Sequence, residues 1–382
     1  MTLVLRQLNS LIKKIGLKMT TFQSFNLPSF LLQSLERIKI KTPSPIQAKA
    51  IPMAMEGHDL LASSQTGSGK TIAYLLPMIT TLSTSQGQTA LILTPTRELA
   101  IQVKDSLTQL MGKNGSLKMA LLIGGQSMGQ QFAQLKANPR VIVGTPGRII
   151  DHLKRNSLKL NRTGFLVLDE TDRMLDMGFS QQLDVIVKFL PSERQTLMFS
   201  ATMPSNIIKL ANKYLQNPQR ISVDLAAQPA PKIKQQAIYI KATEKFPHLL
   251  KELDEREGSI VIFVKTKRGA EKLAKQLQAQ NHNTDAIHGD LNQSKRSRAI
   301  EEFRKQKSRI MVATDIIARG LDVPHIQHVI NYDLPGCAED YTHRIGRTGR
   351  AGAQGSALTL ISPDDSRKWK TILKTTGAKI SA

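Results

Sequence analysis

Cysteine is nearly missing: Cys337 is the only one in 382 residues. Its isolation excludes an intrachain disulfide and any cysteine-rich metal site, and fits a reducing compartment. Long apolar runs are also missing. The longest candidates, such as IAYLLPMI, fall well short of the roughly 18 residues needed to cross a bilayer, so a soluble protein with no membrane partner is expected. Acidic residues are few, 30 Asp and Glu against 53 Lys and Arg, and the formal charge of +23 favours a polyanionic partner such as nucleic acid. None occurs before Glu36. The opening MTLVLRQLNSLIKKIGLKMTTF is basic, with apolar residues near helical spacing, and loosely resembles a mitochondrial transit peptide. The plainer alternatives are a short basic extension or a true start at Met19. No continuous apolar core precedes a small-residue cleavage site, which argues against a secretory signal. A cytoplasmic protein is expected, with the mitochondrion as the alternative.

What the chain does contain is alternation. From Asp59 onward, short apolar runs (ALILTP, RVIVGTP, FLVLDE, TLMFSAT) alternate with longer amphipathic segments such as TRELAIQVKDSLTQLM, the habit of βαβ units around a buried parallel sheet. The polar, proline-containing DLAAQPAPKIKQQ interrupts the pattern after Val223. It restarts with QAIYI, SIVIFV, TDAIHG, RIMVAT and HVINYD. The expected organisation is a basic extension over 1–21, an α/β domain over 22–224, a linker over 225–233 and a second α/β domain over 234–382. Doubly wound domains bind ligands at the carboxyl ends of their strands, which is where chemistry is sought.

Two stretches there carry it. DLLASSQTGSGKT reads as a strand, a phosphate loop (Ser64, Gln65, Thr66, Gly67, Ser68, Gly69, Lys70, Thr71) and a helix start, with Ser64 where the strict pattern has its first glycine. Gly67 and Gly69 let backbone N–H groups curl around phosphate oxygens, Lys70 can reach the β- and γ-phosphates, and the Thr71 hydroxyl suits Mg2+. GFLVLDE places Asp169 and Glu170 at the end of a buried strand. There Asp169 can hold Mg2+ largely through water while Glu170 orients or deprotonates the attacking water.

With these residues in place the chain resembles the DEAD-box RNA helicases from Phe22 to about Gly352, with the motifs in family order and DETD (Asp169 to Asp172) in place of the name-giving sequence. The resemblance implies two tandem RecA-like doubly wound parallel-sheet domains, the core of superfamily 2 helicases. It also implies ATP and Mg2+ as ligands, and RNA-stimulated ATP hydrolysis coupled to duplex unwinding or RNA–protein remodelling. Phe22 and Gln47, the latter closing TPSPIQ, match the adenine-reading element; Ile40 stands where the family usually carries an aromatic. Thr96 and Arg97 of PTRELA, Gly125, and Thr145 and Arg148 of TPGR match RNA-contacting motifs, whose hydroxyls, arginines and open backbone grip phosphate and sugar without reading bases. Ser200 and Thr202 of SAT match the element that couples hydrolysis to strand separation by hydrogen bonding to Asp172. In the second domain Thr266, Gln293, Arg296 and Thr314 match RNA-side residues, and Gly320 and Asp322 positions that line the nucleotide. Arg347 and Arg350 of HRIGRTGR match paired arginine fingers; two arginines three apart in a helix-prone segment can face one site.

Because phosphate ligands and arginine fingers fall in different domains, hydrolysis is expected to require domain closure. Single-stranded RNA and short duplexes, bound with weak sequence preference, are the expected substrates, with ribosomal or RNA-decay proteins as candidate partners. The residues after Gly352 are too few for a further RNA-binding domain, and Trp369 among them is expected to anchor the last helix. LDETDRMLDMGF with this tail looks most like the bacterial RhlE-like branch. Thr171 is expected to be a spacer at a strand end, facing away from the nucleotide, its hydroxyl finding a backbone acceptor. A DNA-directed helicase of the same superfamily and a nucleotide-gated RNA clamp are the alternative functions.

Overall fold

The computed structural model describes residues 21–64, 67–112, 117–223, 233–315, 323, 325–349, 353–378 and 380. Gln65, Thr66, Gly320, Asp322, Arg350, nearly all of the N-terminal extension and most of the expected linker lie outside them. The chain divides into two compact units. One holds residues up to Val223 apart from Thr96–Leu99 and Gly124–Ser127; the other holds those two short segments and the chain from Asp224.

In the first unit seven strands form one sheet in the order β3-β4-β2-β5-β6-β1-β7, and every strand pair is parallel. The strands are β1 (Leu60–Ser63), β2 (Thr89–Leu93), β3 (Met119–Leu122), β4 (Val141–Gly144), β5 (Thr163–Leu168), β6 (Gln195–Ser200) and β7 (Gln219–Ser222). Their apolar runs are continuous because helices cover both faces; Leu166, Val167 and Leu168 of β5 are wholly buried, each such side chain stabilising the fold by about 1.5–3 kcal/mol. The order places β6 between β1 and β5. The phosphate loop and the acidic stretch therefore leave the sheet two strands apart, with Ser200 at the end of the strand between them.

In the second unit six strands follow the order β10-β11-β9-β12-β13-β8, again all parallel. They are β8 (Ile233–Tyr239), β9 (Ser259–Phe263), β10 (Thr284–Ile287), β11 (Ile310–Ala313), β12 (Ile326–Asn331) and β13 (Gly355–Ile361). Ile233, expected in the linker, is the first residue of β8, because the sheet pairs it with Gly355. Strand β9 shows how both faces are covered. Ile260 and Ile262 join one apolar cluster with Leu249, Leu273 and Leu277, while Val261 and Phe263 join another with Ile287, Phe303 and Val329, the period of two that a pleated strand imposes. Trp369 is buried at 1% exposure and packs edge-on against Tyr341 with ring centroids 5.3 Å apart, anchoring the final helix Ser366–Thr376.

Candidate functional site

The phosphate loop leaves β1 at Ser64, whose N–H donates to the Ser200 carbonyl at 3.1 Å, and ends where helix α3 (Lys70–Thr84) begins, after α1 (Ser29–Arg37) and α2 (Pro45–Met55). Gly67 and Gly69 have φ of +82° and +94°, a region closed to most side chains. Gly69 has a second constraint, since a Cβ there would lie 2.4 Å from the Gln47 amide. Among the described residues no side chain caps α3, so the N–H groups of its first turn offer an anion site. Lys70 is buried and its ammonium donates to the Ser64 carbonyl at 2.8 Å, pointing back across the loop. Ser64, at the nonstandard position, shares a 2.8 Å hydrogen bond with the Ser68 hydroxyl and so ties the two ends of the loop together. The substitution adds a strut without closing the turn.

Gln47 lies beside the phosphate loop. Its Oε1 accepts from the Ser44 N–H at 2.9 Å, completing the capping box of α2, and its Nε2 donates to the Gly69 carbonyl at 3.0 Å. The amide thus joins the TPSPIQ segment to the phosphate loop. Phe22 is enclosed, at 2% exposure and edge-on to Phe25 at 5.9 Å, so its ring packs inside the element. Ile40 is half-buried.

The acidic stretch opens at Asp169, whose N–H bonds the Leu93 carbonyl at 3.0 Å. Its carboxylate is 2% exposed, accepting from the Tyr74 hydroxyl at 2.9 Å and from the Glu170 N–H at 2.9 Å. Burial, opposed by the nearby Lys70 charge, pushes its pKa up to about 6. Asp169 and the Thr71 hydroxyl, one turn before Tyr74, are oxygen donors of the kind that suits Mg2+. Glu170 sits at φ +49°, ψ +53°, capping the short helix α7 (Thr171–Asp176), with α4 (Arg97–Met111), α5 (Met128–Lys136) and α6 (Pro146–Lys154) preceding it. Arg173, one turn into α7, pairs with Glu170 at 3.1 Å, and both are buried.

Thr171 is the first residue of that helix rather than the end of a strand, because the chain turns sharply at Glu170; its hydroxyl donates to the Leu168 carbonyl at 3.2 Å. Asp172 then reaches SAT. Its Oδ2 accepts from the N–H groups of Ala201 and Thr202, at 2.9 and 3.0 Å, and from the Thr202 hydroxyl at 3.2 Å. Ser200 does not bond Asp172; its hydroxyl donates to the Thr202 carbonyl at 2.7 Å and shapes the turn from within.

The remaining motifs of the first sheet also sit at strand ends. Thr96 precedes α4 and its hydroxyl accepts from the Leu99 N–H at 3.3 Å. The Arg97 guanidinium lies against Gly124 and Gly125 so closely that a Cβ at Gly125 would be 2.5 Å from it. Thr145 holds the N-cap position of α6, with Arg148 in the first turn, 3.5 Å from the Met128 sulfur and 3.6 Å from Asp151.

In the second unit Thr266 caps the helix Lys267–Ala279 by accepting from the Gly269 N–H at 3.0 Å, Gln293 opens the helix Gln293–Arg304 with Arg296 one turn on, and Thr314 follows β11. Arg347 is not in a helix. The helix Ala338–Ile345 ends before it, Gly349 has φ +68°, and Arg347 is held by a 3.1 Å bond from its Nε to the His343 carbonyl. The turn forms because the Thr348 hydroxyl engages the backbone carbonyls of Ile326 and Gln327, at 2.7 and 2.8 Å. Arg347 is therefore presented from a turn, and Arg350 lies outside the described residues. Arg344, beside it, is 1% exposed; its guanidinium grips Asp315 with two bonds of 2.5 and 2.8 Å, donates to Asn331 and the Asp333 carbonyl, and lies 4.9 Å over the Phe263 ring.

Residues 44–210 match the DEAD/DEAH box helicase family and residues 243–352 the helicase conserved C-terminal domain. The DEAD-box ATP-dependent RNA helicase CshA of Bacillus subtilis is 40% identical over 362 residues, 94% of this chain and 73% of its own. The chain belongs to the DEAD-box ATP-dependent RNA helicases. A second relative, ATP-dependent RNA helicase CshA of Listeria monocytogenes, is 41% identical over 94% of this chain and 69% of its own. Among solved structures, S. cerevisiae Dbp5 bound to RNA and ADP BeF3 aligns with a TM-score of 0.84 at 32% identity, over 94% of this chain and 95% of that one. Mss116p bound to ssRNA and AMP-PNP aligns at 0.85 and 29%, over 96% and 79%. The two RecA-like domains expected from the motifs are thus those of this helicase.

Three side chains at the helicase motifs escape a reading by motif. Tyr74 was legible only as a tyrosine in an otherwise apolar helix one turn beyond Thr71. Arg173 and Arg344 were given no role from the sequence, and their burial is what sets them apart.

Proposed function

We propose that this RNA helicase hydrolyses ATP with Lys70 and the first turn of α3 on the phosphates, Glu170 as the base that takes a proton from the attacking water, and Arg347 with Arg350 stabilising the transferring phosphoryl group. The observation that carries the reading is the convergence of the buried Lys70, Asp169 and Glu170 on the carboxyl ends of β1 and β5, next to a helix terminus with no side-chain cap. Thr71 and Asp169 are the residues that would hold Mg2+, which when bound neutralises charge on the β- and γ-phosphate oxygens. Glu170 is held by Arg173 at its position above α7, and Asp172 fixes the backbone of Ala201 and Thr202, so a shift in the acidic stretch is passed to SAT through three hydrogen bonds.

Arg347 and Lys70 belong to different units, so hydrolysis waits on the arginine being delivered to the phosphates. An arginine finger contributes about 10³–10⁵-fold in such reactions, which makes the chain nearly idle until then. RNA and ATP are both ligands of the competent state, and by linkage each tightens the other. The motifs on the RNA side offer hydroxyls, arginines and open backbone, which grip single strands and short duplexes through the sugar–phosphate chain with weak sequence preference. ATP turnover with and without single-stranded RNA, for the wild type, Glu170→Gln and Arg347→Ala, tests the assignment. RNA-stimulated turnover is expected to fall at least a hundredfold in each variant. Turnover that survives both would overturn it, and RNA affinity unmoved by an ATP analogue at fixed salt would overturn the coupling.

A further inference from the structure

Beneath the loops assigned to RNA lies a polar network inside the first unit that none of the motifs includes. Gln131, on α5, is wholly buried, and its Nε2 donates to the carbonyl of Ile123, the residue before Gly124-Gly125, at 3.1 Å. Its Oε1 faces the Nε2 of His152 at 3.2 Å. His152 is also wholly buried, on α6, one turn beyond Arg148, and its Nδ1 lies 2.9 Å from the Ser157 hydroxyl. Phe132 closes the other side of the imidazole, edge-on at 5.5 Å.

The proton positions follow from chemistry. A backbone carbonyl can only accept, so the Gln131 amide must present its NH2 to Ile123 and its oxygen to His152. That oxygen in turn requires a hydrogen on His152 Nε2. Burial and then the Arg148 charge push the imidazole pKa below the ordinary value, and its Nδ1 faces the Ser157 hydroxyl, which also donates to the His152 carbonyl at 3.1 Å. Gln134, one turn along α5, accepts from the Leu121 N–H at 2.8 Å, so α5 is stitched both to the edge strand β3 and to the residue that follows it. A buried glutamine and histidine are costly in a core unless each partner is kept, and here the partners lie on the two segments that precede and carry the gripping groups.

We propose that Gln131 and His152 form a positioning clamp that sets the spacing between the Gly124-Gly125 loop and the Thr145–Arg148 turn, so that both present their phosphate-binding groups in register. The proposal rests on the reading of those two segments as RNA-contacting. Neither clamp residue touches RNA or nucleotide; each acts through the segments it holds.

The test is binding of a fluorescein-labelled single-stranded oligouridylate in the presence of AMP-PNP, over a series of salt concentrations, alongside AMP-PNP affinity. Gln131→Leu and His152→Leu are expected to raise the RNA Kd about tenfold. The salt slope should become shallower by about 0.7 for each phosphate that is no longer gripped, with AMP-PNP affinity within twofold. His152→Gln restores a donor toward Gln131 and is expected to recover RNA affinity to within about threefold of wild type; affinity as weak as that of the leucine variant would overturn the clamp. Equal losses of RNA and AMP-PNP affinity would also overturn it, since they mark a merely structural role. If the leucine variants do not fold, Gln131→Glu serves instead. It still accepts from His152 but sets an oxygen against the Ile123 carbonyl, and unchanged RNA affinity there refutes the proposal. Arg148→Ala separates the two levels: if it too leaves RNA affinity unchanged, the reading of the turn as RNA-contacting fails; if it weakens binding while the clamp variants do not, only the clamp fails.

Discussion

Thr171→Ala converts DETD to the sequence that names the family, and the structure says what it costs. Thr171 is wholly buried at the start of α7, with its hydroxyl on the Leu168 carbonyl. Removing the hydroxyl forfeits a hydrogen bond of about 0.5–1.5 kcal/mol, and removing the methyl forfeits about 0.8 kcal/mol of burial. Alanine returns about 0.5 kcal/mol through its better helix propensity, leaving a net destabilisation of about 1–2 kcal/mol. For a domain of this size that corresponds to a Tm lower by about 2–8 °C, measured by calorimetry on nucleotide-free protein. The hydroxyl is turned to the strand backbone, while the Glu170–Arg173 pair and the bonds from Asp172 to Ala201 and Thr202 do not involve it. RNA-stimulated kcat should therefore stay within about tenfold, equivalent to about 1.4 kcal/mol of barrier. A loss of kcat beyond tenfold at unchanged KM for ATP and RNA would refute the argument and give the threonine a part in the chemistry.

Asp169 makes stability depend on pH. Its pKa is raised from 3.8 to about 6 in the fold, so the folded chain binds the extra proton between those values and stability falls as pH rises through that window, by about 3 kcal/mol in all. Hydrogen exchange of β5 amides in nucleotide-free, EDTA-treated protein should show this slope in the wild type and lose it in Asp169→Asn; equal slopes would contradict it. In the second unit, Arg344→Met leaves Asp315 without its two-bond partner and is expected to destabilise by about 3–5 kcal/mol, while Arg344→Lys restores little because an ammonium cannot span both oxygens. Trp369, the single tryptophan, reports that unit's unfolding by fluorescence, and a melt unchanged in Arg344→Met would refute it.

The sequence by itself determined the two parallel-sheet units, the phosphate loop and the acidic stretch, since each is a local pattern: an apolar run feeding a turn whose glycines, lysine or carboxylates must follow at fixed spacing. It also placed Trp369 in the packing of the last helix. What it could not determine are pairings between elements remote along the chain. Tyr74 meets Asp169 across 95 residues, Arg344 meets Asp315 across 29, and His152 meets Gln131 across 21. Tertiary packing brings such groups together; for Tyr74 and Asp169 it is the order of strands, with β6 between β1 and β5. The same cause underlies the corrections. Ser200 turned out to be spent on Thr202, and Arg347 lies in a turn fixed by Thr348 rather than on a helix. A motif names the donors and acceptors that chemistry requires; burial and the nearest backbone group decide which of them are already engaged.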